Sequence, residues 1–256
     1  MHFNEAPSRR DVLRAMALGA IALPSAGTLL SACSSDARPA GRPTTTGARI
    51  GSPTTAAFDP ERPWWLQQGF APVTTELTTA KLEVAGTIPT TLTGLYVRNG
   101  SNPSQADSSH WFFGDGMLHG VRLNAGKAEW YRNRYVQTPL YKQRVGFGGS
   151  GVPGGQSSQS NVSVIWHANK LLSSGEVGFP FAINPQDLST VGIHDFGGKL
   201  KSSFTAHPKI DPRTGYLHSF GYGFTEPFLT YNVADAAGTL ISSESVKVAG
   251  PTMNIN

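Results

Sequence analysis

The sequence predicts an all-β fold for most of its 256 residues, and three observations support this prediction. No long segment between residues 59 and 256 has apolar residues at the three- and four-residue spacing of an amphipathic helix. Short apolar or alternating runs, typical of strands, recur instead. Each run ends in residues that favour turns, such as Gly, Pro, Asn and Asp.

The strand-like runs follow one another along the chain. Leu82 and Val84 alternate with polar residues before Gly86 and predict a short strand. Further strands with turn residues after them are predicted at 117–123 (with Met117, His119, Val121 and Leu123 on one face), 162–166, 171–174, 181–183, 216–220 and 228–233. Antiparallel strands with turns this frequent form a sandwich, a barrel or a propeller, and composition alone does not choose among them.

An export signal is predicted at the N-terminus. Ser8-Arg9-Arg10-Asp11-Val12-Leu13-Arg14 has a twin-arginine pattern, and the apolar run from Ala15 to Leu30 is too short to span a membrane comfortably. A short buried helix with an incidental arginine pair is the alternative. The twin-arginine interpretation predicts a protein that is exported in the folded state by a bacterium.

The signal ends in Leu30-Ser31-Ala32-Cys33, which resembles the cleavage box of bacterial lipoproteins. Cys33 is the only cysteine of the chain and therefore cannot form an internal disulfide. We expect residues 1–33 to be a twin-arginine signal with this box, and lipid on Cys33 to anchor the protein on the outer face of the cytoplasmic membrane.

Residues 34–58 contain almost no large apolar side chains and predict a flexible linker, because such a segment cannot bury enough surface to become ordered. Removal of residues 1–33 takes away three arginines and two acidic residues, so the net charge falls from +4 to +3. This small excess argues against nucleic acid as a partner. The remaining residues, 59–256, are predicted to form one β-rich domain.

Two segments carry motifs that are more specific than a strand pattern. They read Gly94-Leu95-Tyr96-Val97-Arg98-Asn99-Gly100-Ser101-Asn102-Pro103 and His110-Trp111-Phe112-Phe113-Gly114-Asp115-Gly116-Met117-Leu118-His119. The residues alone predict a strand with a glycine-rich turn, then an aromatic strand and a tight Gly-Asp-Gly turn that contains Asp115. Neither segment has the spacing of a phosphate-binding loop.

Together the two segments resemble the carotenoid cleavage oxygenase family, also called the retinal pigment epithelial membrane protein family. The family pattern is Gly-x-Tyr-x-Arg-Asn-Gly-Pro-Asn-Pro, followed by His-Trp-Phe-x-Gly-Asp-Gly-Met-x-His. This chain departs from the pattern at Ser101, where proline is usual. The resemblance extends over about residues 63–256 and includes Arg132–Thr138 and Ala206-His207-Pro208-Lys209.

The resemblance implies a seven-bladed β-propeller, of which this chain would form the first three or so blades. It implies one ferrous iron on the propeller axis, held by four histidines from different blades and by no carboxylate. The implied reaction is oxidative cleavage of a conjugated carbon–carbon double bond by dioxygen, which gives two carbonyl products. Carotenoids, apocarotenoids or stilbene-like compounds are the implied substrates.

His207 lies between Ala206 and Pro208, which biases it toward an extended conformation, and residues 211–215 predict a tight turn between two strands. This pattern alone favours a structural histidine at the surface or beside the turn. By its position in the family pattern, His207 resembles the first of the four iron ligands.

Glu176 is flanked by glycine-containing segments and, from the residues alone, is interpreted as an exposed loop carboxylate. The resemblance instead implies that it accepts a ring N–H from an imidazole that binds iron. His119 lies on the apolar face of a strand and is predicted to be a hydrogen-bonded structural residue. Four further histidines are not assigned to iron: His110, His167, His194 and His218.

The resemblance also predicts what this chain lacks. Family members are about twice as long, and the other three iron ligands belong to later segments. Asn256 would stand close to the position of the second ligand, and an amide binds iron more weakly than imidazole does. We therefore expect that the 256-residue chain alone does not hold iron tightly.

Three hypotheses follow from the sequence. The chain is the N-terminal half of an iron-dependent dioxygenase, an inactive lipid-tethered propeller fragment that binds apolar polyenes, or a purely structural remnant of the family. The coding sequence beyond residue 256 separates the first hypothesis from the others, because only the first requires three further histidines there.

Overall fold

A computed structural model describes residues 57–146 and 154–251 of the chain. The predicted signal with Cys33, most of the predicted linker and Asn256 lie outside the described residues. The described residues include β-strands at Thr78–Thr79 (β1), Gly94–Asn102 (β2), Asp115–Asn124 (β3), Lys127–Tyr135 (β4), Ser163–His167 (β5), Lys170–Ser174 (β6), Phe181–Ile183 (β7), Thr190–Ile193 (β8), Lys209–Ile210 (β9), Leu217–Tyr222 (β10), Leu229–Ala234 (β11) and Leu240–Ser245 (β12).

These strands form three four-stranded antiparallel sheets. The strand order is β1-β4-β3-β2 in the first sheet, β5-β6-β7-β8 in the second and β9-β10-β11-β12 in the third. The last two sheets are simple meanders, and the first is a meander to which β1 adds an outer strand from the preceding segment. Three consecutive four-stranded antiparallel sheets have the architecture of propeller blades. The predicted all-β class is therefore confirmed.

Two apolar clusters hold the second sheet between the other two. In the first cluster, Leu118 of β3 and Val136, which follows β4, pack against Phe181 of β7 and Leu188 of the β7–β8 connection. In the other cluster, Leu217, Ala234 and Leu240 of the third sheet pack with three residues of the preceding loop, namely Phe196, Leu200 and Phe204. Neighbouring residues of β5 contact different clusters: Val164 packs against the first cluster and Ile165 against the second. This alternation is what a strand with both faces covered requires.

The connections agree in part with the predicted turns. Ala168 and Asn169, between β5 and β6, both have positive φ (47° and 59°), as a two-residue hairpin turn requires. The predicted turn at Asp211–Gly215 joins β9 to β10. His119 shares one face of β3 with Met117 and Val121, as the alternation predicted.

Three local predictions were wrong. Leu82 and Val84 form no strand, because this short alternation has no partner strand. The aromatic segment Trp111–Phe113 is a 3-10 turn rather than a strand. The backbone N–H of Phe112, inside this turn, donates a hydrogen bond to the His110 side chain at 3.2 Å.

Asp115 is not part of a hairpin turn but begins β3, paired with Asn102 of β2 across a twelve-residue connection at 103–114. Its carboxylate accepts a hydrogen bond from the Ser104 N–H at 3.1 Å and so helps to close this connection.

Helical structure is limited in the described ranges. One short α-helix, α1 at Pro139–Gln143, begins after Thr138, whose hydroxyl accepts from the Tyr141 N–H, and ends at Arg144 in the left-handed conformation. The 3-10 turns are at Trp64–Leu66, Gln68–Phe70, Trp111–Phe113 and Gly154–Gln156. Within residues 57–146 and 154–251, no helix has the length and apolar character needed to cross a membrane.

Candidate functional site

His207 and Glu176, which lie 31 positions apart in the sequence, are in contact. The distance from His207 Nε2 to Glu176 Oε1 is 2.6 Å. Glu176 follows β6 of the second sheet, and His207 precedes β9 of the third. The pair therefore crosses the junction between two sheets. Glu176 is partly buried, so the interpretation as an exposed loop carboxylate was wrong.

Tyr222 contacts the other oxygen of the same carboxylate. Its hydroxyl donates a hydrogen bond to Glu176 Oε2 at 3.3 Å, and its side chain is buried at the end of β10. The two oxygens of Glu176 thus have separate partners, an imidazole and a phenol. This arrangement limits rotation of the carboxylate and hence the orientation of the His207 ring.

The backbone that carries His207 is bonded to two sheets. The His207 N–H donates to Thr205 Oγ1 at 3.0 Å, and the Thr205 N–H donates to the Phe220 carbonyl of β10 at 2.8 Å. On the other side, Ser163 of β5 donates its hydroxyl to the Ala206 carbonyl. Pro208 cannot donate a backbone hydrogen bond, so these neighbours fix the segment.

The His207–Glu176 pair opens into a cavity of about 700 Å³. One part of its wall consists of aromatic side chains: Trp65, Phe70, Trp111, Phe112, Phe113 and Phe224. Polar and charged side chains line the rest, among them Arg98, His119, Gln159, Asn161, Glu176 and His207. A largely apolar cavity with a few polar groups is the usual form of a small-molecule site.

The aromatic part of the wall is a connected cluster. The Trp111 ring lies 4.8 Å from that of Trp64 and 5.9 Å from that of Phe70, both in edge-to-face geometry. Trp111 also stacks on Phe112 with ring centroids 5.4 Å apart. These rings remain largely exposed, with Phe112 at 61%. They present flat apolar faces on which a conjugated ligand can stack.

His119 is the second histidine in the cavity wall. Burial, with the nearby Arg98 charge as the smaller cause, lowers the pKa of His119 from 6.5 to about 4. Its Nδ1 lies 2.8 Å from the hydroxyl of Tyr131. His119 is therefore neutral near pH 7 and is hydrogen-bonded, as its position on the strand predicted.

The remaining described histidines lie elsewhere. His167 Nε2 lies 3.1 Å from the Gly215 carbonyl, and His218 Nδ1 lies 2.7 Å from the Tyr231 hydroxyl. The His194 ring packs on Phe196, and burial lowers its pKa. The His110 ring lies 5.0 Å from that of Phe113, in a tilted arrangement within the aromatic cluster. Among the described residues, none of these four side chains bonds His207 or Glu176.

The donor chemistry at His207 suits a transition metal, because an imidazole oriented by a carboxylate is a common ligand arrangement. The number of donors does not suffice: the described residues contain no group of three or more His, Cys, Asp and Glu side chains that could hold a metal ion. The pair uses Nε2, so in this arrangement only Nδ1 of His207 can bind a cation. Binding through Nε2 requires the pair to separate.

Sequence reasoning missed three residues that organise this site. Tyr222 lies at the end of an ordinary strand pattern, and Gln159 and Asn161 lie in a polar run without a recognisable motif. Only their contacts, made over 46 residues or more of chain, identify them.

These observations define a class: the chain is part of a β-propeller, with an aromatic cavity beside the sheets. Comparison with known protein structures supports the assignment to a β-propeller. In structure, the chain matches a lignostilbene dioxygenase of Pseudomonas brassicacearum with a TM-score of 0.64 and 30% identity, over 72% of this chain and 42% of that one. The chain thus forms a partial propeller.

Sequence comparison gives the family. A family profile described as "Retinal pigment epithelial membrane protein" matches residues 70–254, so the chain belongs to this family. A carotenoid cleavage oxygenase of Mycobacterium tuberculosis is 40% identical over 208 residues, 78% of this chain and 41% of that protein. A carotenoid 9,10(9',10')-cleavage dioxygenase 1 of Pisum sativum is 36% identical over 224 residues, 74% of this chain and 41% of that protein. The chain spans about two fifths of the length of these relatives.

Proposed function

We propose that this chain is part of a non-haem iron-dependent dioxygenase that cleaves a conjugated carbon–carbon double bond of a carotenoid, apocarotenoid or stilbene-like substrate. Both atoms of dioxygen enter the two carbonyl products, so the reaction balances without a further reductant. The observation that carries the proposal is the contact between His207 and Glu176 at the edge of an aromatic cavity of about 700 Å³.

The residues of this chain have distinct roles in the proposal. His207 supplies one imidazole ligand to the iron, and Glu176, held by Tyr222, orients that imidazole. The aromatic wall stacks against the flat conjugated substrate, and the stacked substrate displaces water from these rings. Iron supplies the redox chemistry that activates dioxygen, and the described residues do not complete its ligand set.

The membrane part of the proposal rests on the sequence alone. We infer that Arg9 and Arg10 direct export by the twin-arginine route and that lipid on Cys33 anchors the protein outside the cytoplasmic membrane. Residues 34–58 then act as a tether. An apolar substrate concentrated in the membrane would lie within reach of such a tethered domain.

The test uses the protein encoded by the complete reading frame that contains residues 1–256. We expect that protein, loaded with ferrous iron without oxygen and then exposed to air, to convert a carotenoid or hydroxystilbene into two carbonyl products. Products formed under ¹⁸O-labelled dioxygen should carry the label in both carbonyls.

Three variants test the assigned residues. His207→Ala should lose both bound iron and cleavage, and Glu176→Gln should lower iron affinity or activity by about 10- to 100-fold. His218→Ala is the matched control, since this histidine lies in the third sheet and bonds Tyr231 instead of the cavity residues. Full iron content in His207→Ala would remove His207 from the ligand set.

A second candidate function is binding of an apolar polyene without cleavage. The observation that favours it is that the described residues supply an aromatic cavity without a complete set of metal donors. A visible-absorbance shift of a carotenoid on addition of the 256-residue chain, with no conversion to carbonyl products, supports this candidate. The absence of any shift argues against it.

A further inference from the structure

We propose that Asn161, assisted by Gln159, is the positioning residue of the aromatic cavity wall and thereby determines how a conjugated ligand lies relative to His207. This inference rests on the proposed function for the identity of the ligand. Among the described residues, Asn161 and Gln159 form no hydrogen bond with the His207–Glu176 pair.

The aromatic wall has little intrinsic stability. Its central segment, Trp111–Phe113, is a single 3-10 turn, and a turn of this length is weak on its own. The three side chains of this turn are all more than a third exposed, so their burial contributes little to its position. Another part of the molecule must hold the wall in place.

Two buried amide side chains hold it from the segment before the second sheet. Asn161 Nδ2 donates to the Phe112 carbonyl at 2.8 Å and to the Gly114 carbonyl at 2.7 Å. Gln159 Nε2 donates to the Phe113 carbonyl between them. Three consecutive carbonyl groups are therefore bound by two side chains, each of which is only 6% exposed.

The same segment is attached to the strand that leads to Glu176. The Val162 N–H donates to the Ser174 carbonyl at the end of β6, two residues before Glu176. A Cβ atom added to Gly175 would lie 3.2 Å from the Ser160 nitrogen and 3.5 Å from Asn161 Oδ1, so the two backbones are packed closely. Asn161 thus links the aromatic wall to the backbone that positions the His207–Glu176 pair.

This link has a consequence for selectivity. A ligand stacked on Phe112 and Phe113 places one part of its conjugated chain beside His207. Which part lies there depends on the distance between the aromatic wall and the His207–Glu176 pair. Because Asn161 sets this distance, it determines which double bond lies beside His207. A displacement of about 1 Å can change a reaction rate by about 100-fold, so modest changes matter.

The experiment compares Asn161→Leu with a matched control, Asn232→Leu, in the full 256-residue chain. Asn232 is also buried and also makes two side-chain hydrogen bonds, to Ser202 and Ser243, but it lies in the third sheet outside the cavity wall. The thermal stability of both variants is measured first. If both lose the same stability, a difference between them in the two readouts below reports the position of the aromatic wall and not general destabilisation.

The first readout needs no ligand. Chymotrypsin cleaves after aromatic residues, so the rate of cleavage after residues 111–113 reports the release of the wall. We expect Asn161→Leu to be cleaved there roughly tenfold faster than the wild type, because two hydrogen bonds are lost. Asn232→Leu should keep the wild-type rate at these sites. Equal rates for Asn161→Leu and the wild type would overturn the positioning role.

The second readout is the circular dichroism that the protein induces in a bound all-trans carotenoid, together with its dissociation constant. Asn161→Leu should change the induced signal and weaken binding by about tenfold, whereas Asn232→Leu should leave both close to wild type. An unchanged signal and affinity in Asn161→Leu would overturn the role in ligand placement. If the wild-type 256-residue chain binds no carotenoid, binding of a polyene by this chain fails and ligand placement by Asn161 fails with it. The cleavage result still decides whether Asn161 holds the aromatic wall, and the complete reading frame still decides the dioxygenase activity.

Discussion

Glu176, His207 and His119, three ionisable side chains of the cavity, are either paired or held neutral. Glu176 has both an imidazole and a phenol as partners, and burial keeps His119 uncharged near pH 7. Arg98 contributes to the neutral state of His119, because its positive charge opposes a second one nearby. A cavity of this kind suits an apolar ligand, since it offers few uncompensated charges.

The lowered pKa of His119 predicts a loss of stability in acid. An unfolded chain binds this proton near pH 6.5, whereas the folded chain binds it only near pH 4. The free energy of unfolding therefore falls as the pH decreases through this window. His119 is partly exposed, so solvent screening limits the effect to about 1–2 kcal/mol.

Replacement of His119 by Gln should reduce this acid sensitivity. We expect the difference in unfolding free energy between about pH 7 and about pH 4.5 to shrink by about 1 kcal/mol in His119→Gln, as measured by urea unfolding. His218→Gln, which removes a histidine bonded to Tyr231, should retain the wild-type difference because His119 is still present. An unaltered acid profile in His119→Gln would show that burial of this imidazole has no energetic cost.

Individual strands depend on glycine where two sheets meet. A Cβ atom at Gly116, the second residue of β3, would lie 2.1 Å from the Ser160 carbonyl oxygen, a distance that no real contact allows. The Gly116 N–H also donates to the Gln159 carbonyl at 3.0 Å. Close approach of the two backbones at this position brings Gln159 and Asn161 within reach of the aromatic wall.

Gly116→Ala should therefore destabilise the protein by about 3 kcal/mol, because the added methyl group overlaps backbone atoms that cannot move aside cheaply. Gly100→Ala is the control: it lies in the adjacent strand β2, and an added Cβ would meet only the Arg98 side chain at 3.8 Å. The control should stay within about 0.5 kcal/mol of wild type in chemical unfolding. Similar losses in both variants would contradict the proposed backbone contact.

The molecule as a whole has two sheet faces that no other described sheet covers. One face of the first sheet exposes Tyr96 at 60%, and one face of the third sheet exposes Tyr231 at 42%. The opposite faces of both sheets pack against the second sheet. In a propeller each blade packs between two neighbours, so these two faces are shaped for contact with further blades.

We expect the purified 256-residue chain to self-associate through these faces as its concentration rises. The double variant Tyr96→Glu with Tyr231→Glu should shift the chain toward monomer in size-exclusion chromatography with light scattering. Val191→Glu, on the outermost strand of the second sheet and 72% exposed, is the control and should leave association unchanged. A monomeric wild type at high concentration would count against this expectation.

The sequence by itself determined the fold class and the family, because both depend on local features. Alternating apolar residues and turn residues predicted most strands, including those around the Asp211–Gly215 turn. The local rules failed at Leu82–Val84, at Trp111–Phe113 and at Asp115, where pairing partners and long connections decide the structure. Local residue patterns contain no information about such partners.

Only the tertiary structure decided the composition of the cavity. His207 and Glu176 could be named from a family pattern, but their 2.6 Å contact and the hydrogen bond from Tyr222 arise from the packing of the second and third sheets. Asn161 reaches the Phe112 carbonyl across 49 residues of chain. These contacts depend on how sheets stack through their apolar faces, and this stacking brings together residues that no local spacing in the sequence relates.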